Sequence, residues 1–201
     1  MTLVSEHIET DTRERILVVA ERLFRQLGYQ KTTVADIAKE LRMSPANVYR
    51  FFDSKKAIHE SVARDLMEEV EAEARRIVAQ PGPAKPRLRE LLKTVNRMNT
   101  ERYVGDNKLH EMVRIAMEED WQVCVAHIEC ITGMIGEVLA QGAATGEFEV
   151  PDLPLAALCT CTGMIRFFHP EMIAQAVNKP TATIDQMIDF LFRALEPRQA
   201  K

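Results

Sequence analysis

The stretch SPANVYRFF, Ser44 to Phe52, decides the fold, because it reads as a short helix built to be presented rather than buried. Ser44 is suited to cap it, Pro45 fits the first helical position where a missing N–H costs nothing, and Val48 and Phe52 supply one apolar stripe. Ala46, Asn47 and Arg50 are left on the outward side. Immediately upstream, Thr33 to Leu41 reads as a second compact helix: Thr33 and Asp36 resemble a capping box, and Val34, Ile37, Ala38 and Leu41 form its inner stripe. Only Arg42 and Met43 join the two. Two short helices across so tight a turn are a helix-turn-helix, whose second member enters the DNA major groove.

Upstream of the pair, Thr12 opens a supporting helix with Ile16, Leu17, Ala20, Leu23, Phe24 and Leu27 at helical period, stopping at the left-handed cap Gly28. Downstream, Ser54 caps a long helix running to about Ala79. Lys55 and Lys56 fall in its first turn, where the helix dipole disfavours each cation by about 0.3 to 1 kcal/mol. Something must compensate them, either a DNA phosphate or the nearby Glu60. The prolines and glycine of QPGPAKPR, Gln80 to Arg87, break the helix there. Further helices are expected at about Leu88 to Tyr103, Asn107 to Met117, Glu118 to Gln141, Leu153 to Phe168 and Ile184 to Leu195. No run alternates as a half-buried strand does, so the fold class is all-α: a three-helix DNA-binding head of residues 1–56 (core 12–56) and a helical body of residues 57–201.

Charge supports that division. The chain carries a formal net charge of -4, yet residues 12–56 carry +5 while residues 1–11 and 57–201 carry -3 and -6. A basic segment on an acidic body suits a phosphate-facing module attached to a part that does not touch DNA. The acidic start lacks the basic region of a signal peptide and no stretch approaches about 18 uninterrupted apolar residues, so a cytoplasmic protein is expected. Cys124, Cys130, Cys159 and Cys161 lie in apolar helix-like sequence and read as free, buried thiols.

The segment TRERILVVAERLFRQLGYQKTTVADIAKELRMSPANVYRFFDSKKAI, residues 12–58, resembles the DNA-binding domain of the TetR family of bacterial transcriptional regulators throughout its length. A weaker echo, GEFEVPDLPLAAL from Gly146 to Leu158, is similar to the family's approach to its penultimate helix. The resemblance implies about nine helices and a homodimer that binds a palindromic operator. It also implies a ligand-binding body, pairing through the last two helices, and repression released by a small-molecule effector. Carried over by position, Pro45, Ala46 and Asn47 meet base edges, with Ser44 and Arg50 beside them, while Thr33, Tyr49 and Lys55 meet phosphates. Asn47 suits adenine, Ala46 a thymine methyl, and Tyr49 and Lys55 donate to phosphate oxygens. Arg42 stands where the family has the glycine of the turn, so it takes a left-handed backbone at roughly 1 kcal/mol and aims an extra cation at the DNA. Phe51 replaces a common phosphate donor.

For the effector, an apolar pocket oriented by a few polar groups is the general pattern. Met112, Met117, Trp121, Met134, Met164, Phe167, Phe168 and Met172 supply adaptable apolar surface, and His110, Arg114, His127 and Arg166 are the polar members. Each methionine or aromatic alone also reads as core. No cofactor is expected. Cys124, His127 and Cys130 form a C-x2-H-x2-C series that a soft metal or thiol-reactive signal could use. Six residues turn the two cysteines about 120° apart, so one helix cannot converge all three on an ion. No phosphate loop, nucleophile elbow or zinc-type histidine pair is present, which argues against an enzyme. The remaining alternative is a helical interaction protein without specific DNA binding.

The helix from Ser54 belongs to both head and body, so a ligand entering between it and the helices carrying Met112, Trp121 and Phe167 is expected to tilt it and change the separation of the two heads.

Overall fold

The computed structural model describes residues 2–103, 108, 112, 115–116, 122–176 and 182–197, with the backbone alone at 2–10 and 176. Among these residues every regular element is an α-helix: α1 (Thr2–Leu27), α2 (Val34–Glu40), α3 (Pro45–Tyr49), α4 (Lys55–Val78), α5 (Ala84–Tyr103), α6 (Gln122–Ala144), α7 (Leu153–Gly163), α8 (Ile165–Phe168), α9 (Pro170–Ala176) and α10 (Ile184–Leu195). They fall into two compact units, Met1–Met67 with Asp106–Val123, and Glu68–Gly105 with Cys124–Lys201.

In the first unit, Ile16, Ala20 and Phe24 of α1, Ile37 and Ala38 of α2, Val48 of α3 and Ile58 of α4 are all buried. The helix expected from Thr12 begins at Thr2 instead, because residues 2–11 contain no proline or glycine to stop it. At its other end Gly28 takes φ 92° and its N–H donates to the Phe24 carbonyl at 2.9 Å. Thr32 is fully buried and completes that cap, its hydroxyl donating to the Gly28 carbonyl at 2.9 Å.

In the second unit, Leu88, Leu91 and Leu92 of α5 pack with Ile135 and Leu139 of α6, Met164, and Ile188 of α10. Helix α5 starts at Ala84 rather than Leu88 because the Glu147 carboxylate accepts from the Ala84 and Lys85 N–H groups at 2.8 and 3.0 Å. Pro86 then lies in the first turn, where no donor is missed. Buried Arg87 closes the end of α4 by donating to the Val78 and Gln80 carbonyls at 3.0 and 2.9 Å. Helix α6 is long and apolar enough to cross a membrane by length and composition, but Ile131, Met134, Ile135, Val138 and Leu139 use that character in the core.

The continuous helix expected over Leu153 to Phe168 is broken at Met164, and α9 follows where no helix was expected. Two amides on α5 close the end of α8, ahead of α9: Asn96 donates to the Phe167 carbonyl and Asn99 to the Phe168 carbonyl, each at 2.8 Å. Pro170 cannot continue a helix, and His169 before it is extended with ψ 122°. Helix α10 occupies the expected span, started by the Thr183–Gln186 capping box.

Candidate functional site

The helix-turn-helix is assembled almost wholly from local interactions. Thr33 caps α2 in a complete capping box, its hydroxyl and N–H donating to Asp36 Oδ2 at 2.6 and 2.9 Å while the Asp36 N–H returns to Thr33 Oγ1 at 3.2 Å. These bonds hold the Asp36 carboxyl below its ordinary range. Helix α2 ends in a Schellman turn: the Met43 N–H reaches the Ala38 carbonyl at 2.9 Å and the Arg42 N–H reaches the Lys39 carbonyl at 3.1 Å. Arg42 is the residue at positive φ in that turn, 55°, as its position at the usual glycine required. Ser44 then caps α3 by accepting from the Asn47 N–H at 3.2 Å, and fully buried Val48 pins α3 to the core.

Ser44, Pro45, Ala46 and Arg50 are exposed, as is Arg42 in the turn, and Tyr49 is 50% exposed. Asn47 is half-buried and rests its amide nitrogen 3.9 Å from the Met43 sulfur, a weak bond that a better acceptor can replace. Thr33 is exposed, but both of its donors are engaged by Asp36, so a phosphate must compete for them.

Lys55 is held by the chain itself. Its ammonium donates to the carbonyls of Tyr29, Thr32 and Gln30 at 2.9, 3.1 and 3.4 Å and sits 4.3 Å from the Tyr29 ring centroid. An ammonium has three donors, and these three carbonyls take them all. The charge in the first turn of α4 is therefore compensated from within the chain, whereas Lys56 lies 4.0 Å from Glu60. Tyr29 stacks on its other neighbour, buried His59, with centroids 4.1 Å apart. Neither Tyr29 nor His59 stood out in the sequence, although the i, i+4 spacing of Lys55 and His59 puts them on one face of α4.

In the second unit His127 meets Glu71, Nδ1 to Oε1 at 2.9 Å, and Arg75 bonds both Glu71 Oε2 at 3.0 Å and Cys130 Sγ at 3.1 Å. Burial lowers the His127 pKa more than Glu71 raises it. For Glu71, burial pushes upward but the bonds from His127 and Cys130 leave the carboxyl lowered overall. Burial and Glu71 together raise the Cys130 thiol. Among the described residues no three His, Cys, Asp or Glu side chains converge as a metal site. The cysteines are free, but only Cys124 is buried; Cys130 on α6 is half-buried, and on α7, which turns part of its apolar circumference outward, Cys161 is half-buried and Cys159 exposed. That outer surface includes Leu155 and Leu158, each over half exposed, and α10 adds Phe190 at 67%.

Of the residues expected around an effector, Met112 is buried, Met164 and Met134 are core, Phe167, Phe168 and Arg166 are half-buried, and Met172 is exposed. His110, Arg114, Met117 and Trp121 lie outside the described residues.

Comparison with known proteins places these features. Residues 16–62 match the family model described as bacterial regulatory proteins, tetR family, and residues 84–187, just over half of the chain, match the tetracyclin repressor-like C-terminal domain. A 48-residue segment is 44% identical to the biofilm-operon negative transcriptional regulator IcaR of Staphylococcus aureus, covering 24% of this chain and 26% of that protein. Over 107 residues the chain is 30% identical to the transcriptional repressor KstR2 of Rhodococcus jostii, covering 53% of this chain and 49% of that one. The matches thus span half or less of these relatives. In fold, the chain is similar to the repressor FadR of Thermus thermophilus, solved with lauroyl-CoA, with a TM-score of 0.61, 21% identity, and coverage of 94% and 97% of the two chains.

Proposed function

The chain belongs to the TetR family of bacterial transcriptional regulators, a family of DNA-binding proteins rather than enzymes, and from that premise we propose that it is a homodimeric repressor of a palindromic operator, released by a small apolar effector. The carrying observation is α3: a helix of five residues, capped at Ser44, anchored by Val48 and otherwise turned outward, in the basic part of a chain whose net charge is negative. Residues 1–56 form the DNA-binding domain and 57–201 the ligand-binding and dimerisation domain in this reading. Pro45, Ala46 and Asn47 read bases, with Arg42, Ser44, Tyr49, Arg50 and Thr33 along the phosphates.

Pairing through α7 and α10 is supported by their exposed Leu155, Leu158 and Phe190, since two reading heads on a palindrome need a fixed two-fold relation. The effector is expected in the helical body against Phe167 and Phe168, whose backbone carbonyls are pinned by Asn96 and Asn99 while the rings stay partly uncovered. That a related fold is solved with lauroyl-CoA favours an effector with a long apolar portion.

Selection of duplexes from a random pool tests the reading. The wild-type chain should enrich a palindrome, and Asn47→Ala should relax preference at one base pair by about 1 to 3 kcal/mol. Equal binding of all duplexes by the wild type would instead favour a helical interaction protein without specific DNA binding.

A further inference from the structure

Lys55 stands at the position that the family resemblance assigns to a phosphate, yet its surroundings give it other work. The three carbonyls it reaches belong to the connection between α1 and α2, and the ring it faces, Tyr29, belongs to the same connection. On the far side of that ring lies His59, one helical turn further along α4 and fully buried, with the Phe24 ring of α1 at 5.3 Å from it. Tyr29 is thus held between two side chains of a single helix face, and its own backbone carbonyl is tied to the first of them.

The α1–α2 connection leads directly into the reading apparatus. Thr32 supplies the last carbonyl that Lys55 holds, Thr33 is the cap of α2, and α2 is locked to α3 by the Schellman turn at Arg42. No glycine or other freely rotating residue separates Thr32 from the start of α2. Lys55 thus ties the entry into α2 to the first turn of α4, beside the core contacts of Ile37, Ala38 and Val48.

We propose that Lys55 is a positioning residue of the DNA-binding head: its ammonium clamps the α1–α2 connection onto α4, with Tyr29 as the surface it closes on, and so sets where α2 and α3 stand. This deepens the DNA-binding reading, on which its functional consequence rests. It also names the route by which displacement of α4 reaches α3: the first turn of α4 carries the clamp, so the reading helix follows α4. Desolvation at this partly buried position lowers the Lys55 pKa, consistent with an ammonium enclosed by protein oxygens rather than held out to solvent.

A clamp and a phosphate ligand respond oppositely to Lys55→Arg. Arginine retains the charge and binds phosphate well, but its planar fork does not direct three donors from one point at three carbonyls. The binding probe is a duplex that the wild-type chain enriches from a random pool, measured over a salt series. For a clamp, Lys55→Arg and Lys55→Met each lose affinity about tenfold as the competent arrangement becomes a minor population, with the slope of affinity against salt unchanged. Tyr29→Leu, which removes no charge, should behave in the same way. For a phosphate ligand, Lys55→Arg binds as the wild type does, and Lys55→Met reduces the slope by about one unit per head.

Hydrogen exchange on the DNA-free chain supplies the second readout. Lys55→Met should speed exchange of the amides from Thr32 to Ile37 while leaving those of Ile58 to Leu66 as they were. Wild-type-like exchange from Thr32 to Ile37 overturns the clamp, and so does a variant that merely melts at lower temperature while its folded fraction binds normally. If the wild-type chain enriches no duplex, the DNA-binding reading fails by itself, and the exchange measurement still decides whether the clamp exists.

Discussion

Arg42 holds a left-handed backbone, φ 55°, at the one point of the helix-turn-helix where glycine would be free of strain. A residue with a Cβ costs roughly 1 to 2 kcal/mol there, so Arg42→Gly should raise the unfolding free energy by up to about 1 kcal/mol, read as a higher urea midpoint at unchanged slope, the larger unfolded-state freedom of glycine offsetting part of the gain. If the guanidinium serves DNA, the same substitution weakens binding and lowers the salt slope; an unaltered slope would leave the arginine without a role at the interface. His127 gives a second prediction. Burial keeps its folded pKa below the ordinary 6.5, so between that lowered value and 6.5 the unfolded chain binds more protons than the folded one. Stability due to this group is full above 6.5 and is lost as the pH falls through the folded value. Thermal melts over that window should show a steeper fall on acidification for the wild type than for His127→Gln, and equal slopes would remove His127 as the source.

At the scale of elements, α7 and α10 each carry large apolar side chains outward, as α1 does at Val18 and α6 at Val125 and Ile128. Leu158 on α7 is 55% exposed and Phe190 on α10 is 67% exposed, each on a helix whose opposite side is core. Scattered exposed apolar residues need no partner, but two helices adjacent in the same unit presenting them together suit a self-complementary interface. Helix α10 is also fixed to α5 by charge: Arg89 bonds Asp185 at 3.2 Å and also bonds Asp189, and Lys93 bonds Asp185 at 3.0 Å. The position of Phe190 is thereby held before any partner arrives. Leu158→Glu and Phe190→Asp should each shift sedimentation at micromolar concentration from dimer to monomer and weaken operator binding, while circular dichroism stays helical. A variant that remains dimeric would move the interface elsewhere.

At the scale of the whole molecule, α4 is one uninterrupted helix whose residues up to Met67 belong to the first compact unit and whose residues from Glu68 belong to the second. A ligand that favours one position of α4 must be felt by operator DNA if DNA favours another. Half-sites lie about 34 Å apart or a multiple of it, so a change of a few ångström in head separation is enough to prevent simultaneous docking. Linkage then requires that operator weaken ligand affinity by the same factor that ligand weakens operator affinity. Calorimetric titration of a candidate ligand that the chain binds should give lower affinity with operator present. Binding of equal strength in both titrations would mean that the compound does not act through this coupling.

The sequence by itself determined the all-helical class, the helix-turn-helix and its caps, because each of those features closes within a few residues. Thr33 bonds Asp36, Ser44 bonds Asn47, Met43 bonds Ala38, and a helix satisfies its own backbone at a spacing of four. Even the strained Arg42 was legible, through the resemblance that sets it where the family has the glycine of the turn. Tertiary structure decided what happens to the polar groups that helices leave over at their ends. Lys55 meets carbonyls 23 to 26 residues away, Glu147 caps a helix 63 residues before it, and Asn96 and Asn99 close the end of α8 about 70 residues later. Such partners are chosen by which elements the core brings together, and no local spacing records that choice. For the same reason Lys55, read along the chain, left a phosphate and Glu60 both open as partners, and its bonds to the Tyr29, Gln30 and Thr32 carbonyls were visible only in the packed chain.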